Sequence, residues 1–439
     1  ADWRHMQHIG DARRTSRPAL WIWTLCGGDG MKSSGLIRQN YELTCIGPIH
    51  TGSGETLKAF EYLYNSETQE AAFLSQRAWI ALLDRHDLVD PFITYIGKGS
   101  RIENLRTWLL AQGVTEAEMN SVATRRAKAD TLTDDEKDTL NDIICQTTLA
   151  DGQPYIPGST IKGALRTGIL YHQITREPKR YRSVFQKCQD VLGSDRKISW
   201  KKGEFRKIAL QLETDLLHTL HLGGGGRRNA TASALRGLRV SDAVCAADEM
   251  DTVILRKLDA TTGMKKGPGE STVSLFRECI PAGRRLTFSI TADTAMLKTL
   301  GIQSLDEIFA MLRAYTVDGL RRQEKIFGTG YAQRFAEAKH ADALLGGGTG
   351  FLSKTLIYCL AGSDREAQRF VADFLDQAFI AKKFVYENGR RWKQRGPAHE
   401  HRTFDRAISP RTLKLARMDT QDWLMGLCSI TGVGNAQTV

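Results

Sequence analysis

The segment from Tyr155 to Leu170 constrains the fold of this chain more than any other stretch of the sequence. Its Pro-Gly dipeptide favours a turn, and the next residue is Ser159, a type that commonly caps a helix. Apolar side chains then recur at Ile161, Leu165 and Ile169, which is the spacing of one helical face. We therefore predict a turn followed by an amphipathic helix with Ser159 as its N-cap.

The same helix carries a pattern suited to phosphate groups. Backbone N–H groups at a helix N-terminus attract anions, and Lys162 and Arg166 lie on one face because they are four residues apart. Gly163 permits another backbone or a ligand to approach closely. The candidate RNA-binding residues here are Gly158, Ser159, Lys162 and Arg166. An ordinary capped helix with two solvated cations remains the alternative.

Two further segments combine glycines with residues that can contact phosphate groups. The loop at residues 47–55 is a candidate backbone nest, and its candidate RNA-binding residues are His50, Gly52, Ser53 and Gly54. A plain tight turn is the alternative there. The loop at residues 346–350 leads into Ser353 and Lys354, which are candidates of the same kind. It lacks the GxxxxGKS or GxxxxGKT spacing of a P-loop, so nucleotide hydrolysis is disfavoured.

A glycine-rich basic loop at residues 223–229 precedes a strand-like segment. Four arginines in and after this loop are candidates to line an RNA groove: Arg227, Arg228, Arg236 and Arg239. The whole chain has a formal net charge of +11, and a surplus of this size favours a polyanionic partner such as nucleic acid. A basic loop that binds nothing remains the alternative for residues 223–229.

The residue spacing disfavours several other kinds of site. The eight cysteines are scattered without a CxxC pair, which argues against a zinc ribbon and favours buried free thiols in a reducing cytosol. Asp242 is interpreted as a turn or cap residue, and no catalytic residue, metal or cofactor is expected. No run of 18 apolar residues occurs, so no membrane span is expected and a cytoplasmic location is predicted.

The hydrophobic periodicity predicts strands interrupted by helices in two halves. The predicted strands lie at residues 41–46, 61–64, 72–74, 238–244, 253–258, 273–279 and 285–291. The predicted helices lie at residues 79–86, 102–112, 133 to about 145, 208–222, 305–326, 351–360 and 365–384. This order suits an α+β chain built from two ferredoxin-like (RRM-like) units with large helical insertions.

The predicted domain boundaries follow from this order. Residues 1–30 are treated as an extension of unclear origin outside the fold, because Met31 opens a more natural start. Their apolar stretch at residues 18–25 superficially resembles a signal-peptide core, but it is only about eight residues long and lacks an AxA-like exit. An N-terminal domain is predicted at residues 31–245, with a helical insertion at about 88–150. A C-terminal domain with its own helical insertion is predicted at residues 246–439.

Four blocks of this sequence, in one order, resemble the RAMP superfamily of CRISPR proteins. They are Pro48-Ile-His-Thr-Gly-Ser-Gly54, Ile156-Pro-Gly-Ser-Thr-Ile-Lys-Gly-Ala-Leu-Arg166, Leu235-Arg-Gly-Leu-Arg-Val-Ser-Asp242 and Gly348-Thr-Gly-Phe-Leu-Ser-Lys-Thr355. The resemblance runs from about residue 40 to 430, and the second block is fairly specific to RAMP proteins. Through the fourth block the chain is most similar to the Csm-type subunit that caps the crRNA 3′ end in type III-A effector complexes.

This resemblance implies two ferredoxin-like RAMP domains and a crRNA-binding subunit without cleavage activity of its own. Ser159, Lys162 and Arg166 would contact the crRNA. The implied partners are crRNA, other Csm subunits, especially the backbone RAMP subunit, and target RNA indirectly, with no membrane. The glycine-rich segment common near the C-terminus of RAMP proteins is only partly present at residues 423–434.

Two other functions within the superfamily stay open. A stand-alone RAMP-type endoribonuclease would process precursor crRNA without a metal, with His50 as a candidate base, although such enzymes are usually much shorter. A backbone RAMP subunit would cleave target RNA through an aspartate in an early loop. No aspartate occurs between Gly47 and Ala72, which disfavours that second function.

Overall fold

The computed structural model describes residues 35–99, 103–129, 140, 142–220, 230–264, 267–387, 390–418 and 421–438. The extension at residues 1–30, the first part of the helix predicted from residue 133, and Arg227 and Arg228 lie outside these described residues. The described chain combines helices with two large β-sheets, which is the mixture of helices and strands that the α+β prediction requires. None of its described helices is long and apolar enough to cross a bilayer.

The strands of the described residues are numbered in chain order. Strands β1 to β9 are Leu36–Cys45, Gly52–Leu57, Tyr62–Asn65, Glu70–Leu74, Ala123–Ala129, Ile143–Gln146, Tyr155–Ile156, Leu238–Val240 and Ala243–Cys245. Strands β10 to β18 are Thr252–Met264, Gly267–Cys279, Arg285–Asp293, Ala343–Leu344, Ile380–Glu387, Arg390–Pro397, Thr412–Met418, Gln421–Leu424 and Leu427–Thr438. The strands predicted at residues 61–64 and 72–74 are confirmed by β3 and β4, which pair antiparallel as a hairpin.

The helices are numbered in the same way. Helices α1 to α7 are Gln76–Arg85, Val89–Ile96, Leu105–Ala111, Glu116–Ser121, Gly158–Arg176, Pro178–Gly193 and Ile198–Leu217. Helices α8 to α13 are Thr294–Lys298, Leu305–Phe327, Ala332–Ala338, Ile357–Leu360, Asp364–Ala378 and His401–Phe404. The helices predicted at residues 79–86, 102–112 and 305–326 match α1, α3 and α9 closely.

The first sheet carries the largest hydrophobic core. Its strand order is β13-β18-β1-β12-β9-β7, with β8 also paired to β12, and these pairs are antiparallel. Along β12, Leu286, Phe288 and Ile290 are buried while the residues between them are more exposed, which is the alternation of a strand with one covered face. Helix α9 packs on this sheet, where the rings of Tyr41 and Phe309 lie 4.7 Å apart.

Helix α5 packs against α9 through its predicted apolar face. Ile161, Leu165 and Ile169 are all fully buried, so the amphipathic helix predicted from their spacing is confirmed. A Cβ atom at Gly168 would stand 2.6 Å from the Cα atom of Leu312 in α9. Only glycine permits the two helices to approach this closely.

The second sheet is built around a long hairpin of β10 and β11. Its order is β2-β6-β11-β10-β5-β4-β3, and β16 pairs with both β10 and β17. Strand β10 pairs in parallel with β5 over residues 252–254 and then antiparallel with β16 over residues 256–261. Strands β14 and β15 form a separate two-stranded sheet.

The insertion between β4 and β5 has a small core of its own. Aromatic side chains of α1, α2 and α3 meet there: the rings of Tyr95 and Trp108 lie 4.8 Å apart, and those of Trp79 and Phe92 lie 5.3 Å apart. Packing of these aromatic side chains explains why helices of ten residues or fewer are stable here. The insertion predicted at residues 88–150 is helical in its first part only, because β5 and β6 follow.

Several predicted element boundaries are wrong. The helix predicted to run to Cys145 ends in strand β6, which pairs with β2 and β11. The helix predicted to run to residue 384 ends at Ala378, because a segment rich in β-branched and aromatic residues then enters the hairpin of β14 and β15. The helix predicted at residues 351–360 is broken, since Thr355 has an extended backbone between a 3₁₀ turn and α11.

Two loop and strand predictions also need correction. The loop predicted at residues 47–55 becomes strand β2 from Gly52 onward. The register of β2 with β6 shifts between Gly52 and Thr56, and glycines are common at such irregularities. The strand predicted at residues 238–244 is interrupted between β8 and β9 by Ser241 and Asp242.

The sheets join segments that are distant in sequence. Strand β1 pairs with β12, and β6 pairs with β11, so strands from both sides of residue 245 pair in each large sheet. The described residues from Gly35 onward form one unit by their contacts. The boundary near residue 245 and the ferredoxin-like character of each half stay predictions.

Candidate nucleic-acid interface

Helix α5 starts at Gly158, directly after the predicted turn. Pro157 is its N-cap residue, and the Gly158 N–H donates a 2.7 Å hydrogen bond to Oδ1 of Asp242. A Cβ atom at position 158 would stand 2.7 Å from the Ser241 carbonyl oxygen and would also clash with the Val240 carbonyl. Glycine is therefore needed because the segment between β8 and β9 lies against the start of the helix.

The prediction that Ser159 caps α5 is wrong. The helix begins one residue earlier, so Ser159 lies inside the first turn with an exposed side chain. Asp242 supplies the hydrogen bond instead, from a position 84 residues away in sequence. The interpretation of Asp242 as a cap residue is thereby confirmed.

Lys162 of α5 and Arg239 of β8 are neighbouring cations. Burial lowers the pKa of the Lys162 ammonium, and the positive charge of Arg239 lowers it further. Within the described part of the chain, neither side chain has a carboxylate partner. Two adjacent cations without a carboxylate attract an anion such as phosphate.

Arg166 lies one helical turn after Lys162 and is exposed. Its guanidinium is 3.1 Å from a carboxylate oxygen of Glu213 in α7. An exposed ion pair of this kind contributes little free energy, so the guanidinium can exchange Glu213 for a phosphate at low cost. Gly163 of the same helix has open space where a Cβ atom would stand.

His50 is buried beneath two glycines. Its residue exposure is 4%, its Nδ1 lies 2.6 Å from the Glu278 carbonyl oxygen, and its own carbonyl accepts a 2.7 Å hydrogen bond from the Gly347 N–H. A Cβ atom at Gly347 would stand 3.0 Å from the His50 ring. Burial, followed by the charges of Arg277 and Lys354, lowers the pKa of His50 to about 4. His50 therefore packs as a neutral ring beneath the loop that covers it.

The loop at residues 346–350 needs its glycines for backbone conformation. Gly346, Gly348 and Gly350 have φ values of 80°, 79° and 87°, which L side chains rarely adopt. A Cβ atom at Gly346 would also clash with the His50 carbonyl. The loop is thus held in one shape above the segment that contains His50.

A buried polar network fixes the same segment from below. The Gln146 side chain accepts a 2.8 Å hydrogen bond from the Thr51 N–H and donates one of 2.6 Å to the Thr51 hydroxyl. The fully buried Glu278 carboxylate accepts hydrogen bonds from the Gln146 N–H, the Thr252 hydroxyl and the Arg125 guanidinium. Buried polar networks with every partner satisfied are rigid. Little in the sequence indicates this network, since Gln146 is a single polar residue at the end of a short apolar run.

These segments meet at one cleft with a volume of about 480 Å³. It is lined by backbone and small side chains from β2, α5 and the glycine loop, and its cations are Arg166 and Lys354. No carboxylate lines it among the described residues. Burial, and then the charge of Arg277, lowers the pKa of Lys354. The cleft therefore offers an open, positively charged surface with closely approachable backbone.

The structure brings together only some of the predicted site residues. Gly52, Arg166, Ser353 and Lys354 line the cleft. Gly158 lies beside it, next to Pro157, while Ser53 and Gly54 follow Gly52 as exposed residues of β2. Lys162 and Arg239 form the neighbouring cation pair, and Arg236 is exposed and donates to the Thr231 carbonyl at 2.9 Å. The remaining two candidates, Arg227 and Arg228, lie outside the described residues.

The RAMP superfamily model matches residues 42–204 of this chain. Two proteins named CRISPR system Cms protein Csm5 are similar over most of their length. The one from Mycobacterium tuberculosis (strain H37Rv) is 25% identical over 89% of this chain and 97% of its own length. The one from Enterococcus italicus is 21% identical over 81% of this chain and 94% of its own length.

A solved structure has a similar fold. It is a chain in a cryo-EM structure of a Csm–crRNA–target RNA ternary complex of a type III-A CRISPR-Cas system. That chain is 15% identical, with a TM-score of 0.57, and the match covers 90% of this chain and 100% of that one. The resemblance predicted from the four sequence blocks is confirmed: the RAMP superfamily model matches residues 42–204, and over most of its length the chain is similar to Csm5 proteins.

Proposed function

We propose that this protein is a crRNA-binding subunit of a type III-A CRISPR effector complex, positioned near the crRNA 3′ end, without cleavage activity of its own. Its partners are crRNA, other Csm subunits, above all the backbone RAMP subunit, and target RNA through the guide. The proposal includes two ferredoxin-like units and a cytoplasmic location.

The observation that carries the proposal is the cleft between β2, α5 and the glycine loop. Backbone at glycines approaches the opening, and Arg166 and Lys354 are its charged side chains. The Lys162–Arg239 pair extends the positive surface along α5. Such a surface binds the sugar-phosphate backbone and reads little base sequence, which is what a subunit shared by many different guides requires.

The absence of catalysis is part of this proposal. His50, the candidate base for a stand-alone nuclease, is buried and its Nδ1 is engaged by the Glu278 carbonyl. A general base must come within hydrogen-bond reach of the hydroxyl that it deprotonates. A buried ring beneath Gly347 does not offer that approach.

The test is affinity purification of the tagged full-length protein from its native host. Bound RNA is sequenced and bound proteins are identified by mass spectrometry. Recovery of crRNAs with a common 5′ repeat tag, together with other Csm subunits, is expected. Recovery of the protein alone, or cleavage of repeat RNA by the pure protein in EDTA, would contradict the proposal.

A further inference from the structure

The first half of helix α7 carries a concentrated positive charge that neither the four sequence blocks nor the cleft accounts for. Residues 196–207 contain six lysines and arginines but one acid, Glu204. Lys202 and Arg206 are exposed, and neither has a carboxylate partner within the described part of the chain. Exposed cations that are clustered without carboxylates create a positive potential, which attracts a polyanion.

Gly203 lies at the centre of the exposed face of α7. On the surface of a helix, the neighbours of a residue are those three and four positions away. For Gly203 these neighbours are Ser199, Trp200, Arg206 and Lys207, and all of them are exposed, as is the glycine. A Cβ atom at position 203 would stand in open space. The helix therefore has a shallow depression at Gly203, bordered by a hydroxyl group, an indole ring and two cations.

Trp200 is the aromatic side of this depression. It is 42% exposed, although tryptophan side chains are highly buried on average. The guanidinium of Arg196 lies over its ring, 5.6 Å from the ring centroid, which is near the outer limit for a cation–π interaction. Exposed aromatic rings among cations are the platforms on which bases of single-stranded RNA stack. An acidic protein surface would need the cations but not the ring, so the ring favours RNA as the partner.

Arg206 and Lys207 form the charged side of the depression. The Lys207 ammonium lies 2.7 Å from a carboxylate oxygen of Glu204, and its side chain is 74% exposed. An exposed ion pair of this kind contributes little free energy, so the ammonium can exchange Glu204 for a phosphate at low cost. Ser199 adds a hydroxyl group of the type that commonly contacts phosphate oxygens and sugars. These groups suit the phosphate and ribose of a nucleotide whose base lies on Trp200.

The depression is separate from the cleft but lies on a helix that reaches it. Glu213, near the other end of α7, pairs with Arg166, which lines the cleft. A helix rises 1.5 Å per residue, so Gly203 and Glu213 are about 15 Å apart along α7. The residues that border the depression do not line the cleft. A contact at Gly203 would therefore add to the contacts in the cleft.

We propose that the depression at Gly203 binds one nucleotide of single-stranded RNA. The base stacks on Trp200, and the phosphate is held by Arg206 and Lys207. This inference goes beyond the proposed function, because it adds a second RNA contact outside the cleft. Stacking and phosphate contacts scarcely distinguish one base from another, so the site accepts RNA of any sequence.

The experiment measures the binding of a fluorescent single-stranded RNA to the purified full-length protein by anisotropy at one salt concentration. Trp200→Leu should weaken binding about tenfold, since stacking of one base on an aromatic ring changes affinity by roughly this factor or more. Trp200→Phe keeps an aromatic ring and should retain most of the affinity. Equal affinities of the leucine and phenylalanine variants would overturn the stacking contact.

A second variant, Gly203→Leu, fills the depression without changing any charge. Leucine has a higher helix propensity than glycine and position 203 is open, so α7 should stay folded. Binding should weaken by about as much as in Trp200→Leu. Ser183→Leu is the matched control, because it adds the same side chain at an exposed neutral residue of α6, and it should leave the affinity unchanged. Undiminished binding by Gly203→Leu would mean that α7 attracts RNA through its charge alone, which would overturn the nucleotide site.

The outcomes separate this inference from the proposed function. RNA binding that is equal in the unmodified protein, Trp200→Leu and Gly203→Leu would overturn the second contact and leave the proposed function in place, whereas failure of the unmodified protein to bind RNA would overturn both. If Gly203→Leu instead loses a protein partner and keeps its RNA affinity, the surface belongs to an acidic protein and the inference is wrong.

Photo-crosslinking identifies the form in which the nucleotide binds. An RNA that contains 4-thiouridine should crosslink to a peptide that includes Trp200, and an excess of AMP should not prevent this crosslink. A crosslink that AMP abolishes would assign the depression to a free nucleotide, and crosslinks confined to other peptides would contradict the site.

Discussion

The carboxylate of Asp242 accepts a 2.7 Å hydrogen bond from the backbone N–H of Gly158, the first residue of α5. This negative charge occupies the helix end that would otherwise attract a phosphate. The anion-binding character of the region therefore comes from side chains further along α5, at Lys162 and Arg166, and from Arg239 beside them.

Asp242→Ala should destabilise the protein by about 0.5–2 kcal/mol, the usual effect of removing a cap that satisfies a helix N–H. The measurement is the free energy of unfolding from urea denaturation. Asp248→Ala is the matched control, because Asp248 is an exposed aspartate a few residues away that makes no hydrogen bond or ion pair within the described part of the chain. Equal stability of the two variants would show that the hydrogen bond to Gly158 contributes nothing.

The glycines at 346 and 203 should respond oppositely to alanine. Gly346 has a φ of 80° and a Cβ atom there would clash with the His50 carbonyl, so Gly346→Ala should cost about 1–3 kcal/mol and weaken RNA binding. Gly203 lies within α7 with open space at the Cβ position, so Gly203→Ala should stabilise the protein by about 0.5–1 kcal/mol. Thermal and urea unfolding of both variants check the signs. A tolerated alanine at 346 would argue against the fixed shape of the loop.

Local patterns predicted α5 but could not predict how its end is capped. The apolar face at Ile161, Leu165 and Ile169 follows from spacing along one helix, which any sheet or helix can cover. The cap at Asp242 depends on a contact across 84 residues, and the hydrogen bond from Gln146 to Glu278 spans 132. Such contacts arise only when the sheets assemble, so the sequence alone does not reveal them.

Arg125→Met should be strongly destabilising. Arg125 donates to the fully buried carboxylate of Glu278, and a buried charge that loses its partner costs about 3–5 kcal/mol. Its neighbour Arg126 is exposed and pairs with Glu70 at 3.6 Å, so Arg126→Met on the same strand should cost less than about 1 kcal/mol. Urea unfolding distinguishes the two. Similar losses for both variants would show that the buried network is not the source of the effect.

Burial of His50 should make the protein less stable in mild acid. Its pKa is about 4 in the folded protein against 6.5 ordinarily, first because of burial and then because of Arg277 and Lys354. The unfolded state therefore binds a proton between pH 6.5 and 4 that the folded state does not. The stabilisation that comes from keeping His50 neutral is fully present above about pH 6.5. Because of this histidine, the free energy of unfolding falls by about 3 kcal/mol as the pH drops to 4.

The test is the pH dependence of the unfolding free energy in His50→Asn against the unmodified protein. The variant should lose less stability over this range, whatever its absolute stability. His340→Asn, at an exposed histidine, should keep the original dependence. Parallel curves for all three proteins would contradict a buried neutral His50.

The sequence predicted the segments that form the site more accurately than the role of each residue in it. The glycine loop, the start of α5 and the segment after β1 were all singled out, and the structure brings them to one cleft. His50 was a candidate contact but is buried, since nothing in its local sequence shows that Gly346 and Gly347 would cover it. Glu278 was not predicted as part of the site's framework, because Arg125 and Gln146 lie on other strands and meet its carboxylate only in the folded sheet.

Neutralisation of the cation pair should weaken RNA binding and reduce its dependence on salt. Lys162 and Arg239 have no carboxylate partner among the described residues, so Lys162→Gln with Arg239→Gln removes charge without leaving an unpaired acid. For single-stranded RNA each lost phosphate contact lowers the slope of log K against log salt by about 0.7, so the double variant should lower it by about 1.4. Arg77→Gln with Lys298→Gln, at exposed cations of α1 and α8, is the matched control and should change the slope little. An unchanged slope in Lys162→Gln with Arg239→Gln, with a native unfolding profile, would mean that RNA does not follow this face of α5.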